Sequence, residues 1–257
     1  MIGVCIAGAT GWTGRALVDG VGAADDLELR TAVARSAAGG TIGGAPVHAR
    51  VADALDGVDV LVDYTSHDVV LEHAQAAIER GVAVVIGTSG LTAADFAAIG
   101  EAAERRGVGV VAAGNFSLTA AMAAAGALLA ARHLPQWEVI DYASAAKPDV
   151  PSGTARELAE RLAEVRAPAL GRPLDELHGP VEARGATVAG SQVHSVRLPG
   201  FVVSTEVVFG LPDERLVIRH DAGGTPAPYV AGTLLAVRAV RERVGLVRGL
   251  DRLLLDG

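Results

Sequence analysis

The sequence predicts an α/β fold in which a doubly wound parallel sheet is joined to an α+β domain with a mostly antiparallel sheet. In the first half, short apolar runs without polar alternation are separated by helical stretches, the pattern of parallel strands covered on both faces. In the second half, three strand-like runs follow one another without intervening helices, which favours antiparallel pairing. The chain has 257 residues, half of them hydrophobic, and is long enough for two domains.

Five strands are predicted in the first domain. Ile2–Ala7 forms the first strand and leads through a glycine-rich turn into a helix that includes residues 15–18. Helices are expected at about 68–80 and 92–106, and further strands at 28–35, 59–65, 82–88 and 108–113. Residues 1–117 and 226–257 together are expected to form a dinucleotide-binding domain, whose closing helix lies at 226–243.

The second domain is predicted to span residues 118–225. A segment at 167–185 that contains several Pro and Gly residues is expected to link its two halves. Helices are expected at about 118–132 and from Pro151-Ser152 to about 166, and strands at 138–145, 186–197, 202–210 and 215–220.

The composition argues against several classes of function. A net charge of −8 disfavours sequence-independent binding to nucleic acid or to an anionic membrane. Cys5 is the only cysteine, and the seven histidines show no ligand spacing, so neither a disulfide framework nor a metal site is expected. The apolar stretch at 107–131 is better explained by a strand and a buried helix than by a membrane span. No signal peptide follows Met1, and we expect a cytoplasmic protein that acts on a small molecule.

A glycine motif directly follows the first strand, in the run Gly8-Ala9-Thr10-Gly11-Trp12-Thr13-Gly14. Glycines allow a phosphate to approach the backbone closely, and a helix N-terminus supplies N–H donors and the positive end of its dipole. A strand, a turn and a helix in this order therefore predict a dinucleotide site. At the end of the second strand stands Ala34-Arg35 in place of the acid that holds the ribose of NAD. This favours NADPH, with NADH also possible; the alternative is that Arg35 is an ordinary surface charge.

Lys147 is the only lysine among 22 basic residues. An arginine at this position would stay protonated, whereas a lysine presents a compact ammonium that can give up its proton. We expect Lys147 to end a strand and Ser152-Gly153-Thr154 to begin a helix, so that cation and helix N-terminus can hold a small carboxylate. The alternative is a plain capped helix. Tyr142 and Lys147 are five residues apart and not on a helix, which disfavours the Tyr and Lys pair of short-chain reductases.

Nearly the whole chain resembles the dihydrodipicolinate reductases. The most distinctive matching piece is Lys147–Ala155, in the pattern Lys-x-Asp-x-Pro-Ser-Gly-Thr-Ala. The other pieces are Gly8–Arg15, Asp63-Tyr64-Thr65, Gly87-Thr88-Ser89-Gly90, Asn115-Phe116-Ser117, Ser195-Val196-Arg197, Glu214-Arg215 and His220-Asp221-Ala222. The resemblance implies reduction of a cyclic imine or enamine dicarboxylate with NAD(P)H in lysine and diaminopimelate biosynthesis. It also implies a homotetramer assembled through the C-terminal, substrate-binding domain.

The resemblance also implies which residues form the site. Lys147 is expected to donate a proton or to stabilise charge, and Ser144, Lys147, Gly153, Thr154 and Arg197 are expected to bind the substrate. The residues expected to bind the cofactor are Gly8, Thr10, Gly11, Trp12, Thr13, Gly14, Arg35, Thr65, Gly87, Thr88, Ser89, Ala113, Asn115 and Phe116.

Several positions depart from the family pattern. The family's His-His pair, one of which is the presumed proton donor, is replaced by Ala143 and Ser144. An acid and a histidine later in the chain are replaced by Ser204 and Thr205, and an arginine by Thr225. The remaining proton sources are Lys147 and a bound water. On an extended strand Asp141 shares a face with Ala143 and is a weaker candidate, and Tyr142 points the opposite way and is a poorer one. Two alternatives therefore stay open: a related reductase for another cyclic imino acid, and an NADPH-binding protein without turnover.

Overall fold

A computed structural model of the chain describes residues 1–255, and the chain divides into two compact units. The first unit comprises Met1–Leu118 and the C-terminal segment that begins at Thr225. The second unit comprises Thr119–Gly224. Within residues 1–255, no helix is both long and apolar enough to cross a membrane.

The first unit is built on an eight-stranded sheet with the order β13-β7-β6-β5-β1-β2-β4-β3. Every neighbouring pair is parallel except β3 and β4, so the predicted doubly wound sheet is confirmed. The strands are β1 (Ile2–Ala7), β2 (Leu27–Val33), β3 (Thr41–Ile42), β4 (Ala45–His48), β5 (Val60–Asp63), β6 (Ala83–Ile86), β7 (Gly109–Ala112) and β13 (Gly245–Arg248).

Helices separate these strands, and the central strands β5, β6 and β7 are apolar except for Asp63 at the end of β5. Every residue of β5, β6 and β7 is buried, as expected for central parallel strands without a solvent face. A capping box formed by Thr92 and Asp95 starts α3, and Gly107 ends it in the left-handed conformation at φ 65°. The helices of this unit are α1 (Trp12–Gly22), α2 (Val70–Glu79), α3 (Ala93–Arg106), α6 (Ala227–Val240) and α7 (Leu250–Leu255).

The second unit contains a five-stranded sheet with the order β12-β11-β8-β10-β9. The pair β8 and β10 is parallel and the other pairs are antiparallel, which confirms a mostly antiparallel sheet. Trp137, Phe209, Leu162 and other apolar side chains form its core. The elements are α4 (Leu118–Ala131), β8 (Trp137–Ala143), α5 (Gly153–Val165), β9 (Ala186–Val188), β10 (Ser191–Arg197), β11 (Val203–Leu211) and β12 (Glu214–Asp221).

The end of β8 differs from the prediction. The strand stops at Ala143, so Lys147 does not end a strand but lies in the loop that follows. The reason is a turn in which the N–H of Lys147 donates to the carbonyl of Ser144, 3.0 Å away, which takes the chain out of the ladder. The loop from Ser144 to Ser152, called the substrate loop below, connects β8 to α5.

Other boundaries were also wrong or incomplete. The second strand ends at Val33, and Arg35 begins a short 3-10 helix. The predicted strand at 186–197 is two strands, β9 and β10, because Ala189 and Gly190 adopt positive φ and form a hairpin turn. The short strands β3 and β4 and the terminal elements β13 and α7 were not predicted.

We expect Gly14→Ala to lower the free energy of unfolding by about 1–3 kcal/mol through overpacking. A Cβ atom at Gly14 would lie 2.1 Å from the carbonyl oxygen of Gly8. The matched control is Gly22→Ala on the same helix, where a Cβ atom would meet nothing within 4 Å. This control should be neutral or stabilising by up to about 1 kcal/mol. Urea unfolding measures both variants, and equal stabilities for the two would contradict the close approach at Gly14.

Candidate active site

The glycine motif of the first unit forms a tight turn between β1 and α1. Gly8 has a φ of +84°, and a Cβ atom there would lie 2.2 Å from the carbonyl oxygen of Tyr64. The N–H of Gly11 donates to the carbonyl of Gly8 at 2.8 Å, and α1 begins at the next residue, Trp12. The turn thus brings the N-terminus of α1 to the carboxyl end of β1, where a pyrophosphate can bind.

A cavity of about 400 Å³ opens beside this turn. It contains five of the predicted cofactor residues, which are Gly8, Thr10, Gly11, Arg35 and Thr65. Its remaining lining residues are Val33, Ala34, Ser36, Ala49, Tyr64, Ser66, Val69 and His73. The cavity has the place and size expected for the adenosine and phosphate part of a dinucleotide.

The other predicted cofactor residues lie outside the lining of this cavity. Thr13 and Gly14 lie in the first turn of α1, and Trp12 is about half exposed with its ring edge-on to Tyr229 at 6.0 Å. Gly87, Thr88 and Ser89 follow β6, and Ala113, Asn115 and Phe116 follow β7. Because these strands are parallel, the two loops meet the glycine turn at the same edge of the sheet.

The carboxylate of Asp63, at the end of β5, connects the segment after β5 to the loop after β6. Asp63 is buried, and its Oδ1 accepts hydrogen bonds from both Oγ1 of Thr65 and Oγ1 of Thr88 at 2.6 Å. Its Oδ2 lies 2.8 Å from Nδ1 of His73. Asp63 therefore fixes two predicted cofactor residues from behind. Asp63 stands in one of the pieces that match the family, but its part in the cofactor site was not predicted from the sequence.

Tyr64 supports the loop after β6. A Cβ atom at Gly87 would lie 2.2 Å from Cζ of Tyr64, so only glycine fits above the phenol ring. Oγ1 of Thr233 donates to the carbonyl of Tyr229 at 2.7 Å, so the Tyr64 hydroxyl donates to Thr233 at 2.8 Å. Burial raises the pKa of Tyr64, and the hydrogen bond with Thr233 lowers it in part. The hydroxyl thus stays protonated and ties the loop region to α6.

In the second unit, the substrate loop brings Lys147 and the start of α5 into one short segment. Nζ of Lys147 lies 2.8 Å from Oδ1 of Asp149, and the lysine side chain is about one quarter exposed. Ser152 caps the helix, because its hydroxyl accepts from the N–H of Ala155 at 3.4 Å. Gly153 and Thr154 occupy the first helical positions, where backbone N–H groups point out of the helix.

Asp141 lies behind this loop and is completely buried. Its Oδ1 accepts from the Ser152 hydroxyl at 2.6 Å, and its Oδ2 accepts from the Ser152 N–H at 2.9 Å. Oδ2 also accepts from the hydroxyl of Ser195 at 3.0 Å and from the Arg197 guanidinium at 2.8 Å. Since Asp141 accepts at both oxygens and is shielded from solvent, its suggested part as a proton donor is wrong.

Arg197 and Ser144 are both engaged within the protein. One terminal nitrogen of Arg197 donates to Asp141 and also to the carbonyl of Asp149 at 2.7 Å, while its buried Nε has no hydrogen-bond partner among residues 1–255. The Ser144 hydroxyl accepts from the N–H of Ala146 at 3.4 Å. Asp149 was missed as a functional residue, although it stands inside the motif that contains Lys147.

Two of the positions that depart from the family pattern, Ala143 and Thr205, lie near Asp141 on the sheet. Ala143 is completely buried on the same face of β8. Thr205 pairs in register with Asp141 on one side and with His220 on the other. Within the described part of the chain, its buried hydroxyl has no hydrogen-bond partner. Burial lowers the pKa of His220, which favours its neutral form.

Tyr142 points to the opposite face of the sheet, as predicted. Its ring lies 5.1 Å from that of Phe201, and the Arg219 guanidinium lies 4.9 Å above it. Among residues 1–255, no group of three or more His, Cys, Asp or Glu side chains is arranged to hold a metal ion.

Comparisons with known proteins agree with this picture. The family model described as dihydrodipicolinate reductase, N-terminus, matches residues 2–116, and the model for the C-terminus matches residues 115–254. The 4-hydroxy-tetrahydrodipicolinate reductase of Synechococcus elongatus is 37% identical over 270 residues, and that of Moorella thermoacetica is 39% identical over 264 residues. Both matches cover 98% of this chain and 98% of the relative.

A solved structure is similar along the same length. The dipicolinate-bound dihydrodipicolinate reductase from Paenisporosarcina sp. TG-14 superposes with a TM-score of 0.78 and 31% identity, and the match covers 98% of this chain and 99% of that one. These findings confirm the family that the motifs predicted, and with it an enzyme that uses a pyridine nucleotide. The chain therefore belongs to the dihydrodipicolinate reductase family.

Proposed function

We propose that this chain is a 4-hydroxy-tetrahydrodipicolinate reductase that prefers NADPH and acts in lysine and diaminopimelate biosynthesis. The observation that carries the proposal is the substrate loop, which holds the only lysine of the chain and the N-terminus of α5 within ten residues. Two cationic features so close together suit a substrate with carboxylate groups. The similarity along the whole chain to reductases of this name supports the same conclusion.

On the substrate side, the N–H groups of Gly153 and Thr154 bind one carboxylate at the positive end of α5. Lys147, whose ammonium also pairs with Asp149, contacts the same substrate. Ser144, at the start of the loop, is a further substrate contact. Arg197 contributes through the loop that it holds, because its guanidinium donates both to Asp141 and to the carbonyl of Asp149. Together these groups orient the C=N bond of the substrate for reduction.

On the cofactor side, the residues fit a dinucleotide. The glycine turn leaves room for a pyrophosphate, because a Cβ atom at Gly11 would meet only the Gly8 oxygen, at 3.1 Å. Arg35 lines the adjoining cavity, and the end of β2 carries no acidic residue there. Both features favour the 2′-phosphate of NADPH over the free hydroxyl of NADH. The bound nucleotide supplies the hydride. The loop after β6, which is fixed by Asp63 and packs against Tyr64, and the loop after β7 line the nicotinamide.

Protonation has to occur without the imidazole that the family pattern places at residues 143 and 144. Lys147 is the proton source that the substrate loop offers, because its side chain is partly exposed in the loop that leads into α5. A substrate bound as an iminium needs less assistance, since its nitrogen already carries the proton. Loss of one general acid typically lowers the rate by about 10²–10⁴, so we expect a slow enzyme.

A second candidate is a reductase for a different cyclic imino acid. It is favoured by Ala143, which is completely buried where the family pattern has a histidine. A substrate that needs no contact with an imidazole is compatible with alanine at this position. Activity with the second class of substrate but not the first would replace the leading proposal.

We further propose that the chain assembles as a homotetramer in the cytoplasm, as the family resemblance implies. The second unit carries exposed apolar side chains on β12, Leu216 at 42% and Val217 at 50%. Such side chains are suited to contact another copy of the chain.

We expect Lys147→Ala to lower kcat/KM for freshly generated 4-hydroxy-tetrahydrodipicolinate by about 10²–10⁴. NADPH oxidation, followed by absorbance, measures this loss. Lys147→Arg is the matched variant, because arginine keeps the charge but does not release a proton. A normal KM with a low kcat in this variant would assign proton transfer to Lys147. Unchanged turnover in Lys147→Ala would contradict its role, and no turnover in the native protein despite NADPH binding would contradict the proposed substrate.

We expect Arg35→Ala to raise the KM for NADPH by about 10- to 100-fold, the loss of one charge-assisted hydrogen bond. The KM for NADH should change little, because NADH has no 2′-phosphate. The control is Arg30→Ala, since Arg30 lies on β2, five residues before Arg35, and pairs with Glu28 at 3.0 Å. Steady-state kinetics with NADPH and with NADH measure the KM values of both variants. Equal losses for NADPH and NADH would show that Arg35 does not select the cofactor.

A further inference from the structure

Asp141 joins three parts of the second unit that are distant in the sequence. Ser152 lies 11 residues further along the chain, and Ser195 and Arg197 lie 54 and 56 residues further along. All three donate to one buried carboxylate. A buried charge is costly unless several donors surround it. The buried carboxylate therefore strongly favours the arrangement in which all three residues donate to it.

The first arm of this network sets the start of α5. The Ser152 hydroxyl donates its single proton to Asp141 at 2.6 Å, which leaves a lone pair to accept from the N–H of Ala155. The backbone N–H of Ser152 donates to the same carboxylate at 2.9 Å. Asp141 therefore fixes both the cap residue and the direction of the first helical turn, where Gly153 lies.

The second arm reaches Lys147. One nitrogen of Arg197 donates both to Asp141 at 2.8 Å and to the carbonyl of Asp149 at 2.7 Å. The side chain of Asp149 in turn lies 2.8 Å from Nζ of Lys147. Through Arg197, the same buried carboxylate thus holds the part of the substrate loop that carries the lysine.

We propose that Asp141 is a positioning residue that holds Lys147 and the N-terminus of α5 in the arrangement that binds the substrate carboxylate. It does not touch the substrate, because it is completely buried and its oxygens accept from protein donors. The inference rests on the proposed function, since it uses the substrate carboxylate site at Gly153 and Thr154.

The test compares Asp141→Asn with the native protein. An amide replaces one of the two carboxylate oxygens with an NH₂ group. If Oδ1 is replaced, the Ser152 hydroxyl loses its acceptor; if Oδ2 is replaced, Ser195, Arg197 and the Ser152 N–H lose theirs. Binding of dipicolinate (pyridine-2,6-dicarboxylate) and of NADPH is measured by calorimetry, together with kcat and KM. We expect the dissociation constant of dipicolinate and the substrate KM to rise about 10- to 100-fold. We expect NADPH binding to change less than about twofold, a separation that general loss of structure would not produce.

Asp213→Asn is the matched control. It makes the same chemical change in the same unit, in the turn between β11 and β12, and Asn tolerates the positive φ of 66° found there. It should bind both ligands like the native protein. If Asp141→Asn does not fold, Ser152→Ala replaces it, because that change removes one donor and leaves the buried charge with its other partners.

The outcomes separate the two proposals. No binding of dipicolinate and no turnover by the native protein would contradict the proposed function. Native binding that Asp141→Asn retains, or that Ser152→Ala retains where the first variant does not fold, would overturn only the positioning role. Selective loss of dipicolinate binding, with NADPH binding intact, supports the positioning role.

Discussion

The hydrogen bonds to the buried carboxylate of Asp141 are the interaction that we propose to hold the candidate substrate site together. A fully buried charge in the middle of a sheet must be compensated by several donors, and removing one partner from such a group typically costs about 3–5 kcal/mol. The donors here come from β10, from the substrate loop and from the cap of α5. The charge that specifies the local fold therefore also fixes the groups proposed to bind the substrate.

The first unit uses the same solution for the cofactor loops. Asp63 ends a parallel strand, is almost completely buried, and accepts hydrogen bonds from Thr65 and Thr88 while facing His73. In each unit, a carboxylate at or near the end of a strand organises the loop proposed to contact a ligand, but is itself covered. Preorganised loops of this kind limit the ordering cost of binding.

Much of the architecture follows from local sequence patterns. Apolar runs such as Val60–Asp63 predict parallel strands because both faces are covered, and the glycine turn at Gly8 predicts a phosphate site because side chains would block it. The end of β8 could not be predicted, since it depends on the turn at Ser144, which follows no strong breaker. The hairpin after β9 was missed because Ala189 adopts a positive φ, which is rare for alanine.

The role of Asp141 was also beyond the sequence. Alternation along β8 correctly places Asp141 and Ala143 on one face, but it does not reveal that Ser195 and Arg197 arrive from a strand 54 and 56 residues away. The proposed chemistry rests on a loop held in this way around Lys147 in the absence of an imidazole. The most direct measurement is a crystal structure with NADP⁺ and dipicolinate bound. We expect one carboxylate of dipicolinate to bind the N–H groups of Gly153 and Thr154 and to contact Lys147. Dipicolinate bound away from these groups would contradict this expectation.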